Sequence, residues 1–111
     1  MVTAGDMDVL VTGAAGMVGR AVVPVPRSAG HRVVATDLPG AADAADVHAD
    51  LADAGQAGAL IGEAGFDAVV HAAAIPSPGQ HPPHVVFANN MMATFNVVEA
   101  CVRSGVPRLR W

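Results

Sequence analysis

The residues best suited to chemistry come early in the chain. Thr12-Gly13-Ala14-Ala15-Gly16-Met17-Val18-Gly19 sets three glycines at three-residue spacing, directly after an apolar run that ends at Thr12. A turn of this kind can cradle a phosphate. Gly13 permits the sharp exit from a strand. Gly16 lets the backbone approach a pyrophosphate with no Cβ in between, and Gly19 lets the following helix pack closely. The N–H groups and positive dipole end of that helix favour an anion. Asp37 follows roughly two dozen residues after Gly13 and closes a second, β-branched run. A carboxylate there can accept hydrogen bonds from the 2′- and 3′-hydroxyls of an adenosine ribose. Taken singly, each feature also fits a ligand-free turn and a solvated aspartate. Together, in one strand-turn-helix-strand frame, they point to a dinucleotide.

Positioning these groups requires strands that alternate with helices, and the sequence is ordered that way. Asp8-Val9-Leu10-Val11-Thr12 reads as a first strand, followed by the Gly-rich turn and an apolar helical segment up to Gly30. His31-Arg32-Val33-Val34-Ala35-Thr36 reads as a second strand, stopped by Asp37. Residues 38–47, rich in Ala, Asp, Gly and Pro, read as a loop. Residues 51–64 form a weak helix, in which Gly55, Gly58 and Gly62 each cost about 1 kcal/mol. Phe66 to His71 is a third strand, and residues 76–83 are a proline-stiffened loop. The best helix runs from about Pro83 to Ser104, with Phe87, Met91, Phe95, Val98 and Val102 at i+4 and i+3 spacing and Gly105 as its C′ residue. Arg108-Leu109-Arg110-Trp111 begins a fourth strand. The pattern predicts an α/β fold: one Rossmann-like, doubly wound parallel sheet over residues 1–111, in the order 3-2-1-4, with no second domain. Pro24 and Pro26 fall inside the first helix and predict a kink or an end near Val22.

Composition narrows the function classes. The 111 residues carry a net charge of −4, which argues against a nucleic-acid footprint. Apolar runs broken by Gly, Pro or Asp predict no transmembrane stretch. The N-terminus lacks the pattern of a secretory signal, so a cytoplasmic location is expected. One cysteine excludes a disulfide framework and a Cys-based zinc site. Cys101 reads as a small core residue. His81 and His84 read as loop histidines without metal partners, and His31 and His48 as residues flanking strands. Ser28 and Ser77 have no base beside them, so no nucleophile is assigned. The chain has no tyrosine, and all six of its basic residues are arginines. No Gly-Lys-Ser/Thr phosphate loop is therefore encoded.

Four segments jointly resemble the N-terminal, cofactor-binding half of an extended short-chain dehydrogenase/reductase, the NAD-dependent epimerase/dehydratase family. They are the TGAAGMVG turn, Asp50-Leu51, His71-Ala72-Ala73-Ala74, and the stretch from Asn90 to Ala100, which is similar to the family pattern N-x-x-G-T-x-N-x-x-E-A. The resemblance implies NAD as cofactor. Gly13, Ala15, Gly16, Met17, Val18 and Gly19 would form the pyrophosphate turn, and Asp37 would hold the ribose. Asp50 would accept from the adenine amino group, with Leu51 beside the ring. Ala72, Ala73 and Ala74 would pass the ribose and phosphates by backbone contact. Asn90 is similar to the family's asparagine near the nicotinamide, and it also fits a helix-surface asparagine. NADP is disfavoured, because Asp37 would repel a 2′-phosphate.

The resemblance further implies hydride transfer to or from a sugar or nucleotide-sugar. The family's later Tyr/Lys pair is absent, so the chain reads as truncated after the fourth strand, inactive by itself and without catalytic or metal-binding residues. The alternative is a non-catalytic dinucleotide-binding module or an inactive gene fragment. The open edge of the fourth strand, expected next to the first strand, and a bare apolar side of the Phe87/Met91/Phe95/Val98 helix predict self-association.

Overall fold

The structure is a computed structural model that describes residues 7–40, 45–73 and 81–111. In chain order the elements are β1 (Asp8–Thr12), α1 (Met17–Val22), α2 (Pro24–Ser28), β2 (Arg32–Asp37), β3 (Val47–His48), α3 (Ala54–Ala64), β4 (Ala68–His71), α4 (Pro83–Ser104) and β5 (Arg108–Arg110). The strands form one parallel sheet in the order β3-β2-β1-β4-β5. The Rossmann-like α/β class therefore holds.

The individual strand assignments shift within it. The order 3-2-1-4 is met only when the short β3, which begins at the last residue of the stretch read as a loop, is counted as third. The strand expected third (here β4) lies between β1 and β5 instead of outside β2. The strand beginning at Arg108 is thus the fifth, and it pairs with β4 and not with β1. Only two residues of β3 pair, Val47 with Thr36 and His48 with Asp37. Both are exposed, so neither alternation nor a hydrophobic run marks the strand in the sequence.

Alternation along β1 divides the core. Val9 and Val11 face one side and pack with Ala14, Val23 and Ala35. Leu10 faces the other and packs with Ala57, Ile61, Val69, Val97 and Cys101 from α3, β4 and α4. The prolines act as expected. α1 ends at Val22, and α2 starts with Pro24 after Val23, which keeps right-handed helical angles. The chain thus bends past two missing N–H donors without unwinding. The helix expected from Leu51 starts only at Ala54, because Asp53 caps it by accepting from Gln56 N–H at 3.0 Å. Leu51, in the turn before it, is buried.

The α4 helix spans the expected residues and ends at Gly105, whose φ of 71° suits a left-handed C-cap. The side it buries is not the row of large apolar residues. Ala93, Asn96, Val97, Ala100 and Cys101 face inward. Phe87, Met91, Phe95 and Val102 are exposed. The 22-residue α4 contains an 18-residue window with a mean hydropathy of 1.3, so by length and composition it is also long and apolar enough to cross a membrane. That corrects the expectation that no such stretch exists: Asn89, Asn90 and Asn96 interrupt the apolar pattern without lowering its mean enough. In this fold the helix is a core element of the sheet domain.

Candidate dinucleotide site

The site lies where β1, β2 and β4 end. β1 delivers the chain into the turn at Gly13, whose φ is +67°. A Cβ at Gly13 would stand 2.7 Å from backbone atoms of Ala72 and Ala73, so the turn and the exit from β4 lie directly against each other. A Cβ at Gly19 would stand 2.0 Å from the Gly13 carbonyl oxygen, which is the close helix packing predicted for that glycine. At Gly16 the situation differs: a Cβ would meet only the Gly13 oxygen, at 3.3 Å. The rest of that space belongs to a cleft.

This cleft, about 490 Å³, is lined by Gly13, Ala15, Gly16, Met17, Val18 and Gly19 from the turn and α1, and by Thr36, Asp37 and Leu38 at the end of β2. Ala49, Asp50, Leu51 and Ala52 line it after β3, Ala72 and Ala73 after β4, and Asn89 and Ala93 on α4. The structure thus brings together eleven of the thirteen residues singled out from the sequence. Ala74 lies outside the described residues. Asn90 does not line the cleft; its neighbour Asn89 does, donating through Nδ2 to Asn90 Oδ1 at 3.3 Å. Thr36, Leu38, Ala49, Ala52, Asn89 and Ala93 complete the lining and were not legible beforehand. Ala49 and Ala52 flank Asp50-Leu51 and are implied by it once the loop is known to turn there. For Asn89 the only signal was adjacency to Asn90.

Hydrogen bonds preset the acidic groups. Asp37 Oδ2 accepts from Ala15 N–H at 2.8 Å and Oδ1 from Leu38 N–H at 2.7 Å. A carboxylate offers about four acceptor positions, so both oxygens keep capacity toward the cleft. Asp50 Oδ1 accepts from Ala52 N–H at 3.0 Å, and Asp50 N–H donates to Gln56 Oε1 at 2.8 Å. The Leu51 carbonyl accepts from buried Asn96 Nδ2 at 2.9 Å, which ties this loop to α4. α1 opens at Gly16 without a side-chain cap and with no acidic residue in its first turn. The N–H groups of Ala15 and Gly16 are taken by Asp37 Oδ2 and the Gly13 carbonyl, which leaves those of the first helical turn to face an anion. These features fit a dinucleotide: a turn open to phosphate and a ribose-height carboxylate share one groove.

The other chemical candidates stay apart from it. Cys101 is buried, and burial pushes its thiol up. His81 is exposed, and His84 lies in the first turn of α4 instead of in the loop. His48 stands on β3, and His31 Nδ1 accepts from Met7 N–H at 3.2 Å. Among the described residues no group of three His, Cys, Asp or Glu could hold a metal. Ser28 ends α2, and Ser77 lies outside the described residues.

The family model for the NAD dependent epimerase/dehydratase family matches residues 9–110. The chain belongs to this family. Among solved structures similar to this epimerase/dehydratase-family chain is a UDP-glucose-4-epimerase from Stenotrophomonas maltophila with bound NAD and formylated UDP-arabinopyranose. It is 33% identical with TM-score 0.79, over 93% of this chain and 35% of that one. A UDP-glucose 4-epimerase from Thermus thermophilus, in complex with NAD, is 29% identical with TM-score 0.81, over 93% and 36%. The uronate dehydrogenase from Agrobacterium tumefaciens is 29% identical with TM-score 0.74, over 95% and 40%. The chain therefore spans well under half the length of these structures. No curated protein matches it.

Proposed function

We propose that this chain is the NAD-binding portion of a family enzyme that moves hydride to or from a sugar or nucleotide-sugar. The observation that carries the reading is the convergence of the glycine turn, Asp37, Asp50-Leu51 and Ala72-Ala73 on one cleft. The nicotinamide supplies the hydride exchange when NAD is bound. The chain's own residues bind and orient. Gly13, Ala15, Gly16, Met17, Val18 and Gly19 offer backbone to the pyrophosphate, and Asp37 accepts from the adenosine ribose. Asp50 accepts from the adenine amino group, with Leu51 against the ring. Ala72, Ala73 and Ala74 carry the middle of the cofactor, and α4 presents Asn89 to the cleft beside Asn90, the residue that the family pattern sets near the nicotinamide.

NAD is preferred to NADP. Unit like charges about 4 Å apart at an effective dielectric near 20 repel by about 4 kcal/mol, and Asp37 would meet the 2′-phosphate at such range. Arg32 sits at the opposite end of β2, bonded to Asp8. The sugar and nucleotide-sugar chemistry of the similar structures supports the substrate class. The exposed Phe87, Met91 and Phe95 support self-association through α4. A cytoplasmic location, without nucleic-acid or membrane partners, belongs to the same reading.

One observation favours a second, non-catalytic reading for this polypeptide: it contains neither tyrosine nor lysine. Removal of an alcohol proton during hydride transfer needs a positioned base, typically worth 10²–10⁴-fold. Calorimetric titration tests the binding claim. NAD should bind, NADP at least about tenfold more weakly, and Asp37→Ala should both weaken NAD and narrow that gap. Failure to bind NAD, or equal affinity for NADP, would overturn it. Incubation with NAD and a panel of uronates and nucleotide-sugars separates the two readings. Steady NADH formation above a Gly16→Val control would exclude the non-catalytic one.

A further inference from the structure

Beneath the glycine turn lies a buried polar row that the cofactor reading does not use. Register sets Thr12 between Thr36 on β2 and His71 on β4, and all three side chains are buried. Thr36 is satisfied separately, donating through Oγ1 to the Val47 carbonyl at 2.8 Å. Thr12 Oγ1 accepts from Ala73 N–H at 3.1 Å and lies 2.8 Å from His71 Nδ1. On the far side of the ring, His71 Nε2 lies 3.4 Å from Thr94 Oγ1 on α4.

The donor inventory orders this chain of contacts. Ala73 N–H can only donate, so the Thr12 oxygen accepts there. Among the described residues His71 Nδ1 is the acceptor within reach of the buried Thr12 hydroxyl proton, and a buried donor is rarely left unpaired, so that proton points to Nδ1, which then carries the lone pair. The ring proton sits on Nε2 and is donated to Thr94. His71 is thereby neutral, with its one basic lone pair already taken. It is poorly placed to act as a proton-transfer base.

We propose that Thr12, His71 and Thr94 form a positioning relay that holds the backbone of Ala72-Ala73 at the cofactor cleft, with His71 as the neutral Nε2–H tautomer. The relay rests on the NAD reading above for its purpose, not for its geometry. Its leverage comes from contact. Ala72 and Ala73 lie against Gly13 so closely that a Cβ there would stand 2.7 Å away. Movement of Ala73 therefore displaces the start of the phosphate turn as well.

Two measurements on the full chain test this. In ¹⁵N-labelled protein at neutral pH, the His71 ring should give the nitrogen shifts of an Nε2–H tautomer. An Nδ1–H or doubly protonated ring would overturn the relay, whether or not NAD binds. In NAD titrations, His71→Leu and Thr12→Val should each weaken affinity about tenfold, the scale of losing a buried hydrogen-bond partner. His71→Asn, whose Oδ1 can occupy the place of Nδ1, and Thr12→Ser should recover most of that loss. Thr94→Val, at the periphery, serves if His71→Leu does not fold, and should weaken NAD by a smaller factor. Unchanged affinity in folded His71→Leu, or no recovery in His71→Asn, would overturn the positioning role. Wild-type chain that fails to bind NAD would instead overturn the functional reading and leave the tautomer to decide the relay.

Discussion

At the carboxyl ends of β1 and β2 and just after β3, side chains bond part-buried backbone N–H groups around the cleft; at the amino ends of β1 and β2, an ion pair between the strands stands in solvent. Thr12, Asp37 and Asp50 each hold a main-chain N–H at or beside the cleft. At the other end, Asp8 Oδ1 accepts from Arg32 Nε at 2.6 Å and Oδ2 from Arg32 Nη2 at 3.2 Å, with both side chains well exposed. The Arg32 guanidinium holds the Asp8 carboxyl below its ordinary value of 3.8. Geometry there is good, but exposed pairs contribute little because water screens the charges. A site must be held in one shape, and a part-buried bond from a short side chain to backbone does that at small cost in side-chain freedom. An exposed ion pair only has to keep an edge soluble and in register.

The sharpest way to break the comparison is at Gly19. In Gly19→Ala the new methyl would begin 2.0 Å from the Gly13 oxygen, and the obstacle is backbone that cannot swing aside. Overpacking of this kind costs about 1–3 kcal/mol, which in a domain of this size lowers Tm by roughly 5–20 °C. NAD affinity should fall with it, because the turn itself is displaced. A variant with unchanged Tm and affinity would show that the turn yields.

A smaller effect is expected from pH at His71. Burial pushes its imidazole below the ordinary value of 6.5. Between that lowered value and 6.5 the unfolded chain binds more protons than the folded one, so stability falls as pH drops through this window and levels off below it. Thermal melts between about pH 7 and about pH 5.5 should show a steeper loss for the wild type than for His71→Asn, which cannot ionise. Equal slopes would mean that His71 does not titrate on unfolding. Asp8 does not confuse this test. Its carboxyl is held low, its contribution is present above 3.8, and it is lost only below that.

The smallest effect belongs to the amino end. Asp8→Asn removes the charge on the exposed pair while leaving the Asp8 N–H bonded to Asp67 Oδ2 at 2.8 Å. NAD affinity should be unchanged, and Tm should move less than in either case above. A loss of affinity comparable to that from Asp37→Ala would erase the distinction between the two ends.

Legibility followed the same division. β1 and α4 were readable to their boundaries, because local periodicity and a C-cap glycine mark them. Of the eleven lining residues, Gly13, Gly16, Gly19 and Asp37 were readable from what a phosphate and a ribose require, and Ala15, Met17, Val18, Asp50, Leu51, Ala72 and Ala73 only from the family resemblance. β3 was not, since two exposed residues joined to β2 by pairing alone carry no local pattern. On α4 the bare row of Phe87, Met91 and Phe95 was expected, but not which small residues turn inward. Its large residues stand at helical spacing, yet the small ones face the core. At Gly62 of α3 a Cβ would stand 3.5 Å from Ser104 Oγ of α4, an ordinary contact distance, so small residues line the side along which the two helices meet.

By itself the sequence determined the alternation of strands and helices, the glycine turn and the acidic end of β2, because these depend on spacing along a few neighbouring residues. Tertiary structure alone decided which strands are neighbours, that Asn89 rather than Asn90 lines the cleft, and that Asp37 also holds the glycine turn through Ala15. It also decided that His71 is locked between two hydroxyls. Each of these depends on groups from separate elements arriving at hydrogen-bonding distance. Crossover handedness and sheet register set such distances, and no local run of residues encodes them.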